Sequence, residues 1–150
     1  MTGENIIIYC DGACSGNQFN QNKGGWGAVV KYGDKVKKIH GGVRNTTNQR
    51  MEIASCVKAL ELLKSDKYKV ELYSDSAYLV NCMNDKWYEV WERNNWRNSK
   101  KKPVENKDLW KQLLDLVAKL DITFHKVRGH AGDGFNEVAD KLAQKAISEL

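Results

Sequence analysis

No apolar run in the 150-residue chain approaches the length of a membrane span, and no basic stretch precedes its N-terminal isoleucines. A transmembrane anchor and a secretory signal are therefore not expected, and the sequence predicts a cytosolic protein. Cysteine is sparse: Cys10, Cys14, Cys56 and Cys82 form no C-x-x-C pair, and the three histidines stand away from them. Reduced thiols serving as small apolar side chains fit this spacing better than a zinc site or a disulfide framework. Proline occurs once, at Pro103. Repeats, low-complexity tracts and linkers are missing too, so residues 1–150 read as one domain, long enough to bury a core without covalent staples.

What is present is an ordinary globular composition, 41% hydrophobic and 29% charged, with a net charge of +5. The sequence pI of about 9.0 suits a polyanionic partner. The excess is localised. Between Lys86 and Lys107 stand Lys86, Arg93, Arg97, Lys100, Lys101, Lys102 and Lys107 against only Glu89, Glu92 and Glu105. Trp87, Trp91 and Trp96 are interleaved with these cations. Trp87 and Trp110 are expected mainly in the core, with Trp91 and Trp96 divided between packing and contact with a partner.

Ile6-Ile7-Ile8-Tyr9-Cys10-Asp11 suits a largely buried strand that ends in a carboxylate, followed by a glycine-bounded turn through Gly12 and Gly16 to Asn17. Alternation puts Ile7, Tyr9 and Asp11 on one face and Ile6, Ile8 and Cys10 on the other. An ionised acid there needs a donor or a cation; on these residues alone Asp11 reads either as a turn cap or as the beginning of a metal site. Residues 18–25 read as a loop, and Trp26 to Tyr32 and Lys35 to Val43 as strands joined by a type II′ turn at Gly33-Asp34. Thr46, with Gln49 three residues on, predicts a capped helix whose Ile53, Cys56, Val57, Leu60 and Leu63 face a sheet. Glu52 lies one residue off that stripe, facing either solvent or the sheet edge. Lys69 to Asp75 reads as a fourth strand, and strand-helix-strand order favours a parallel crossover that brings Asp75 beside Asp11. A short helix follows over 77–83. Asn106 is expected to cap the next helix, and residues 122–127 to form the last strand. The glycine-rich loop 128–134 is expected to be mobile, and the closing helix to pack through Ala139, Leu142, Ala143, Ala146 and Leu150, with Asp140 beside that stripe.

Asp11, Glu52, Asp75 and Asp140 could thus converge at one sheet edge, where divalent cations would relieve their repulsion. Five segments sharpen this: Tyr9 to Asn17, Thr46 to Glu52, Tyr73 to Ser76, Val127 to Gly132 and Asn136 to Ala143. In sequence and order they resemble the type 1 ribonucleases H, and Lys101 to Trp110 resembles the bacterial members. The resemblance covers essentially the whole chain. It implies a ribonuclease H-like α/β fold, a five-stranded mixed sheet of three antiparallel then two parallel strands flanked by helices. It implies an endoribonuclease that cuts the RNA strand of RNA/DNA hybrids, leaving 3′-hydroxyl and 5′-phosphate ends. Asp11, Glu52, Asp75 and Asp140 match the family's metal-binding catalytic acids, for two Mg²⁺ ions with Mn²⁺ as a substitute, one activating water and one stabilising the leaving oxygen. His130 matches a loop histidine thought to aid proton transfer or product departure.

For the substrate, Cys14, Asn17, Asn48 and Gln49 match minor-groove contacts, while Thr47 and Asn106 resemble a pocket for a phosphate of the DNA strand. Residues 86–107 resemble a basic handle that binds the hybrid through Lys100, Lys101, Lys102, Trp91 and Trp96. Two positions depart from the pattern: Asn45 stands where arginine is frequent, and Ala77 where glutamine is. A non-catalytic hybrid-binding module and an integrase-like nuclease are the competing readings; the intact acids weigh against the first, and the Thr-Thr-Asn and Gly-His-Ala-Gly motifs against the second. A monomer is expected, with no separate amino-terminal hybrid-binding domain.

Overall fold

The computed structural model of the chain describes residues 5–16, 22–127 and 134–150. Asn17 and His130, and with them most of the 128–134 loop, lie outside the described residues. The elements in order are β1 (Ile6–Ser15), β2 (Lys23–Tyr32), β3 (Lys35–Arg44), α1 (Asn48–Leu60), β4 (Lys69–Ser74), α2 (Ala77–Asn84), α3 (Trp87–Arg93), α4 (Lys107–Val117), β5 (Asp121–Lys126) and α5 (Gly134–Ser148). The strands form one five-stranded sheet in the order β3-β2-β1-β4-β5. β3, β2 and β1 are antiparallel neighbours, whereas β4 and β5 run parallel to β1. This is the mixed sheet that the resemblance implied. Gly33, at the first central position of the β2–β3 hairpin, has the positive φ of 58° that a type II′ turn asks for.

β1 is the middle strand, and its alternation decides the layers. Ile6, Ile8 and Cys10 are buried on one face, in a core with Ile53, Cys56, Val57 and Leu60 of α1, Leu72 of β4 and Trp110 and Leu113 of α4. Each fully buried Leu or Ile contributes about 1.5–3 kcal/mol of transfer free energy, so this face anchors the fold. The other face carries Tyr9, whose ring stacks on Tyr73 of β4 at 5.0 Å and on Phe135 of α5 at 5.7 Å. α5 packs across β1, β2 and β3 on that side. No helix among the described residues is long and apolar enough to cross a membrane.

Several local expectations change. β1 does not stop at Asp11: pairing with β2 continues through Gly12↔Trp26 to Ser15↔Lys23, so the expected turn begins only at Gly16. The helix expected to start from Thr46 starts one residue later, with Thr47 Oγ1 accepting the Arg50 N–H at 3.1 Å. Asn22 explains the shift. Its side chain accepts the Thr46 N–H at 3.0 Å and donates to the Thr46 carbonyl at 2.8 Å, holding Thr46 in the chain leaving β3. Trp87, expected in the core, is 36% exposed, because α3 buries none of its residues. Trp110 is fully buried as expected.

Candidate active site

The site grows out of two consecutive residues, Asp11 and Gly12. The β1–β4 register pairs Tyr9 with Tyr73, so Asp11 and Asp75 each stand two residues beyond the same rung. Beyond β4 the chain is turned by Ser74, whose Oγ accepts the Ser76 N–H at 3.1 Å, and by Ser76, whose Oγ caps α2 through the Leu79 N–H at 3.1 Å. The parallel crossover thus aligns the acids, and hydroxyl caps fix where the second one leaves the sheet.

Glycines bring the remaining acids in. A Cβ on Gly12 would lie 2.4 Å from the Glu52 nitrogen and the Met51 carbonyl carbon, so α1 rests on β1 only because no side chain intervenes. In that position the Gly12 N–H donates to Glu52 Oε1 at 2.7 Å and to Asp11 Oδ1 at 2.9 Å, joining the two carboxyls. On the opposite face Gly27 is paired with Asp11 across β1–β2, and a Cβ there would lie 2.5 Å from the Ala139 carbonyl oxygen. The backbone of α5 is thereby laid beside β1, and Asp140, the next residue, lines the same cleft as Asp11.

Asp11, Glu52 and Asp75 can each offer one oxygen such that all three lie within 4.8 Å of one another. Asp11 and Glu52 are only 5% exposed. Burial, the charge of Asp75 and the proximity of the Asp140 carboxylate, to which a protonated Asp11 can donate, push the Asp11 carboxyl up to about 8. Burial, with the charges of Asp11 and Asp75, pushes Glu52 up to about 10. These shifts are what unpaired carboxyls undergo when desolvated among like charges. The set is hard oxygen with surplus negative charge, the chemistry that a hard divalent cation takes. The acids open into a cleft of about 350 Å³ whose lining also includes Cys14, Asn48, Asn136, Glu137 and Gln144.

The other expected residues fall in distinct places. Cys14 and Asn48 are at the cleft, whereas Gln49 is exposed at the start of α1 outside its lining. Asn106 precedes α4 but makes no capping hydrogen bond with its side chain; its Oδ1 accepts from Arg50 Nη1 at 3.3 Å and its Nδ2 donates to the Tyr78 hydroxyl at 3.2 Å. Lys100, Lys101 and Lys102 are all exposed on a turn closed by Asn98, whose Oδ1 accepts the N–H of Lys100 at 2.9 Å and of Lys102 at 3.1 Å. Trp91 is half-buried, 5.8 Å from Trp96 and 5.9 Å from Trp110, ring to ring. These indoles tie the basic segment to the core; Lys111 Nζ lies 5.4 Å over the Trp96 ring.

Sequence reasoning missed the positioning role of Gly12 and Gly27 and the cleft residues Asn136, Glu137 and Gln144. The spacing of 137, 140 and 144 along α5 marks one helical face and is the signal that could have found the last two.

Residues 3–148 match the RNase H family model. A ribonuclease H of Syntrophomonas wolfei is 50% identical over 145 residues, 97% of each chain. LC9-RNase H1, a type 1 RNase H with the type 2 active-site motif, superposes with a TM-score of 0.86 at 28% identity, over 99% of this chain and 74% of that one. LC11-RNase H1, solved with an RNA/DNA hybrid, shares the fold at a TM-score of 0.70 and 24% identity, over 96% of this chain and 97% of that one. Matched by the family model over nearly its whole length and half identical to a curated ribonuclease H, this chain belongs to the RNase H family.

Proposed function

We propose that the chain is an endonuclease that hydrolyses the RNA strand of RNA/DNA hybrids, leaving 3′-hydroxyl and 5′-phosphate ends. Asp11, Glu52, Asp75 and Asp140 would hold the Mg²⁺ ions, and Mn²⁺ would substitute. The observation that carries this reading is the convergence within 4.8 Å of three carboxylates, two buried and one half-buried, the buried two raised far above the ordinary carboxyl range. Such a site is costly unless a cation compensates it. Bound divalent cations supply acidity to an attacking water and neutralise charge developing on the scissile phosphate.

The chain's own residues do the rest. The Gly12 N–H holds the oxygens of Asp11 and Glu52 toward each other, so the donor set is built before the cation arrives. Cys14, Asn17, Asn48 and Gln49 contact the minor groove, where 2′-hydroxyls distinguish RNA from DNA. His130 aids proton transfer or product departure, a task that suits an imidazole near neutral pH. Residues 86–107 form a handle within one domain, 1–150, and Lys100, Lys101, Lys102, Trp91 and Trp96 hold hybrid outside the cleft. The enzyme works as a cytosolic monomer.

The test is incubation of the folded protein and Mg²⁺ with a hybrid labelled in its RNA strand. RNA fragments with 5′-phosphate ends, and no cutting of single-stranded RNA or duplex DNA, are expected. An intact RNA strand, or cutting of duplex DNA instead, would overturn the proposal.

A further inference from the structure

Asn106 sits in a chain of hydrogen bonds whose arginine end admits only one arrangement. A carboxamide can turn over and exchange its acceptor oxygen for its donor nitrogen with almost no change of shape, so its orientation has to be imposed by neighbours. On one side stands Arg50, a guanidinium that can only donate, with Nη1 3.3 Å from Asn106 Oδ1. On the other side Asn106 Nδ2 donates to the Tyr78 hydroxyl at 3.2 Å. That hydroxyl also accepts from Trp110 Nε1 at 3.1 Å; a phenol can donate as well as accept, so it holds the amide in place while Arg50 sets which way it faces. Turning the amide over would set its NH2 against the guanidinium.

Arg50 is itself fixed. Its Nη1 and Nη2 reach the carboxylate of Asp108 at 3.0 and 2.7 Å, a two-point contact that defines the plane of the guanidinium. Its backbone N–H is spent on Thr47 Oγ1 at 3.1 Å. The hydroxyl hydrogen of Thr47 and the second amide hydrogen of Asn106 have no acceptor among the described residues, so two donors flank one arginine whose charge is already neutralised.

We infer that Tyr78 and Arg50 are positioning residues for substrate binding: they lock the Asn106 amide so that its nitrogen, with the Thr47 hydroxyl, presents donors to a DNA-strand phosphate. This deepens the proposed hybrid cleavage and rests on it. Tyr78 also makes ring contacts with Trp110 at 5.3 Å and Trp87 at 6.4 Å, so the same residue joins the phosphate grip to the base of the basic segment.

The experiment is steady-state cleavage of a hybrid by wild type, Tyr78→Phe, Asn106→Ala and the double variant, below the melting temperature of each. Tyr78→Phe keeps the rings and removes only the hydroxyl. Its KM should rise roughly 5–10-fold with kcat within about twofold, as the loss of one oriented hydrogen bond implies. The double variant should be no worse than Asn106→Ala, since both remove one interaction. Arg50→Met, at the more exposed end, should raise KM in the same way should Tyr78→Phe fail to fold. An unchanged KM in both Tyr78→Phe and Arg50→Met, a fall in kcat alone, or fully multiplicative losses in the double variant would overturn the inference while leaving hybrid cleavage standing. A wild type that does not cut hybrid would instead overturn the proposed function.

Discussion

Replacing Asp11 by Asn should abolish cleavage and at the same time make the metal-free protein more stable. Asp11 is raised from 3.8 to about 8 by burial, by Asp75 and by Asp140. A carboxyl whose folded value lies above its unfolded one adds stability in full below the unfolded value and loses it as pH rises through the folded one. The window therefore runs from about pH 4 to about pH 8. At pH 7 roughly three pH units of it have been crossed, which at 1.36 kcal/mol each caps the cost near ~4 kcal/mol. Local relaxation and water entering the open cleft lower that cost, so about 1–3 kcal/mol is the expected gain, or roughly 2–10 °C in Tm for a chain of this size. Asparagine also fits: its Oδ1 can still accept the Gly12 N–H and its Nδ2 can donate to Asp140, the partners Asp11 already has. Thermal melts of both proteins in chelator from pH 4 to pH 8.5 check this. The difference should vanish toward pH 4, and excess Mg²⁺ should favour the wild type because only its site binds the ion well. A variant no more stable at pH 7, or a gap that persists at pH 4, would refute the reasoning.

Glu52→Gln should also stabilise the metal-free protein near pH 7 and silence cleavage, since Glu52 is raised to about 10 by burial and the same neighbours. Its combination with Asp11→Asn should gain less than the two gains added, because each relieves part of one repulsion; melts of the three variants measure the shortfall. Gly12→Ala should cost about 3 kcal/mol or more and most of the activity, because the new Cβ meets backbone 2.4 Å away in α1, which denaturant titration and the cleavage assay will show. Neutralising Lys100, Lys101 and Lys102 together should weaken hybrid binding and flatten its dependence on log salt by up to about 2–3, with turnover at saturation kept. An unchanged slope would remove these lysines from the interface.

The sheet was legible because the periods of two and of 3.6 residues are strong in this chain: Ile6 to Cys10 alternates faces, and Ile53, Cys56, Val57 and Leu60 fall on one stripe and are buried. Asp11 and Asp75 were placed together by crossover topology alone, and the β1–β4 register agrees. Less legible was whatever depends on distant partners. Thr46 has the residue type of a cap, yet Asn22, far back in the sequence, claims its backbone and moves the cap to Thr47. Asn106 likewise has the residue type of a cap, yet Arg50 and Tyr78 engage its side chain from other helices. The orientation of Glu52 could not be read from helical spacing because it is set by a missing side chain on another strand, at Gly12. Trp87 was misplaced because hydrophobicity does not say which residues of α3 meet the core: Tyr88 and Trp91 pack against it, while Trp87 is left exposed.

The central claim is that the acids at Asp11 hold the divalent cations that drive hydrolysis. Crystals soaked in Mn²⁺ test it most directly, through anomalous difference density. Density is expected between the carboxylates of Asp11, Glu52 and Asp75, and is expected to be lost in Asp11→Asn. Crystals of active enzyme with no manganese among these acids, or with it only elsewhere on the chain, would contradict it.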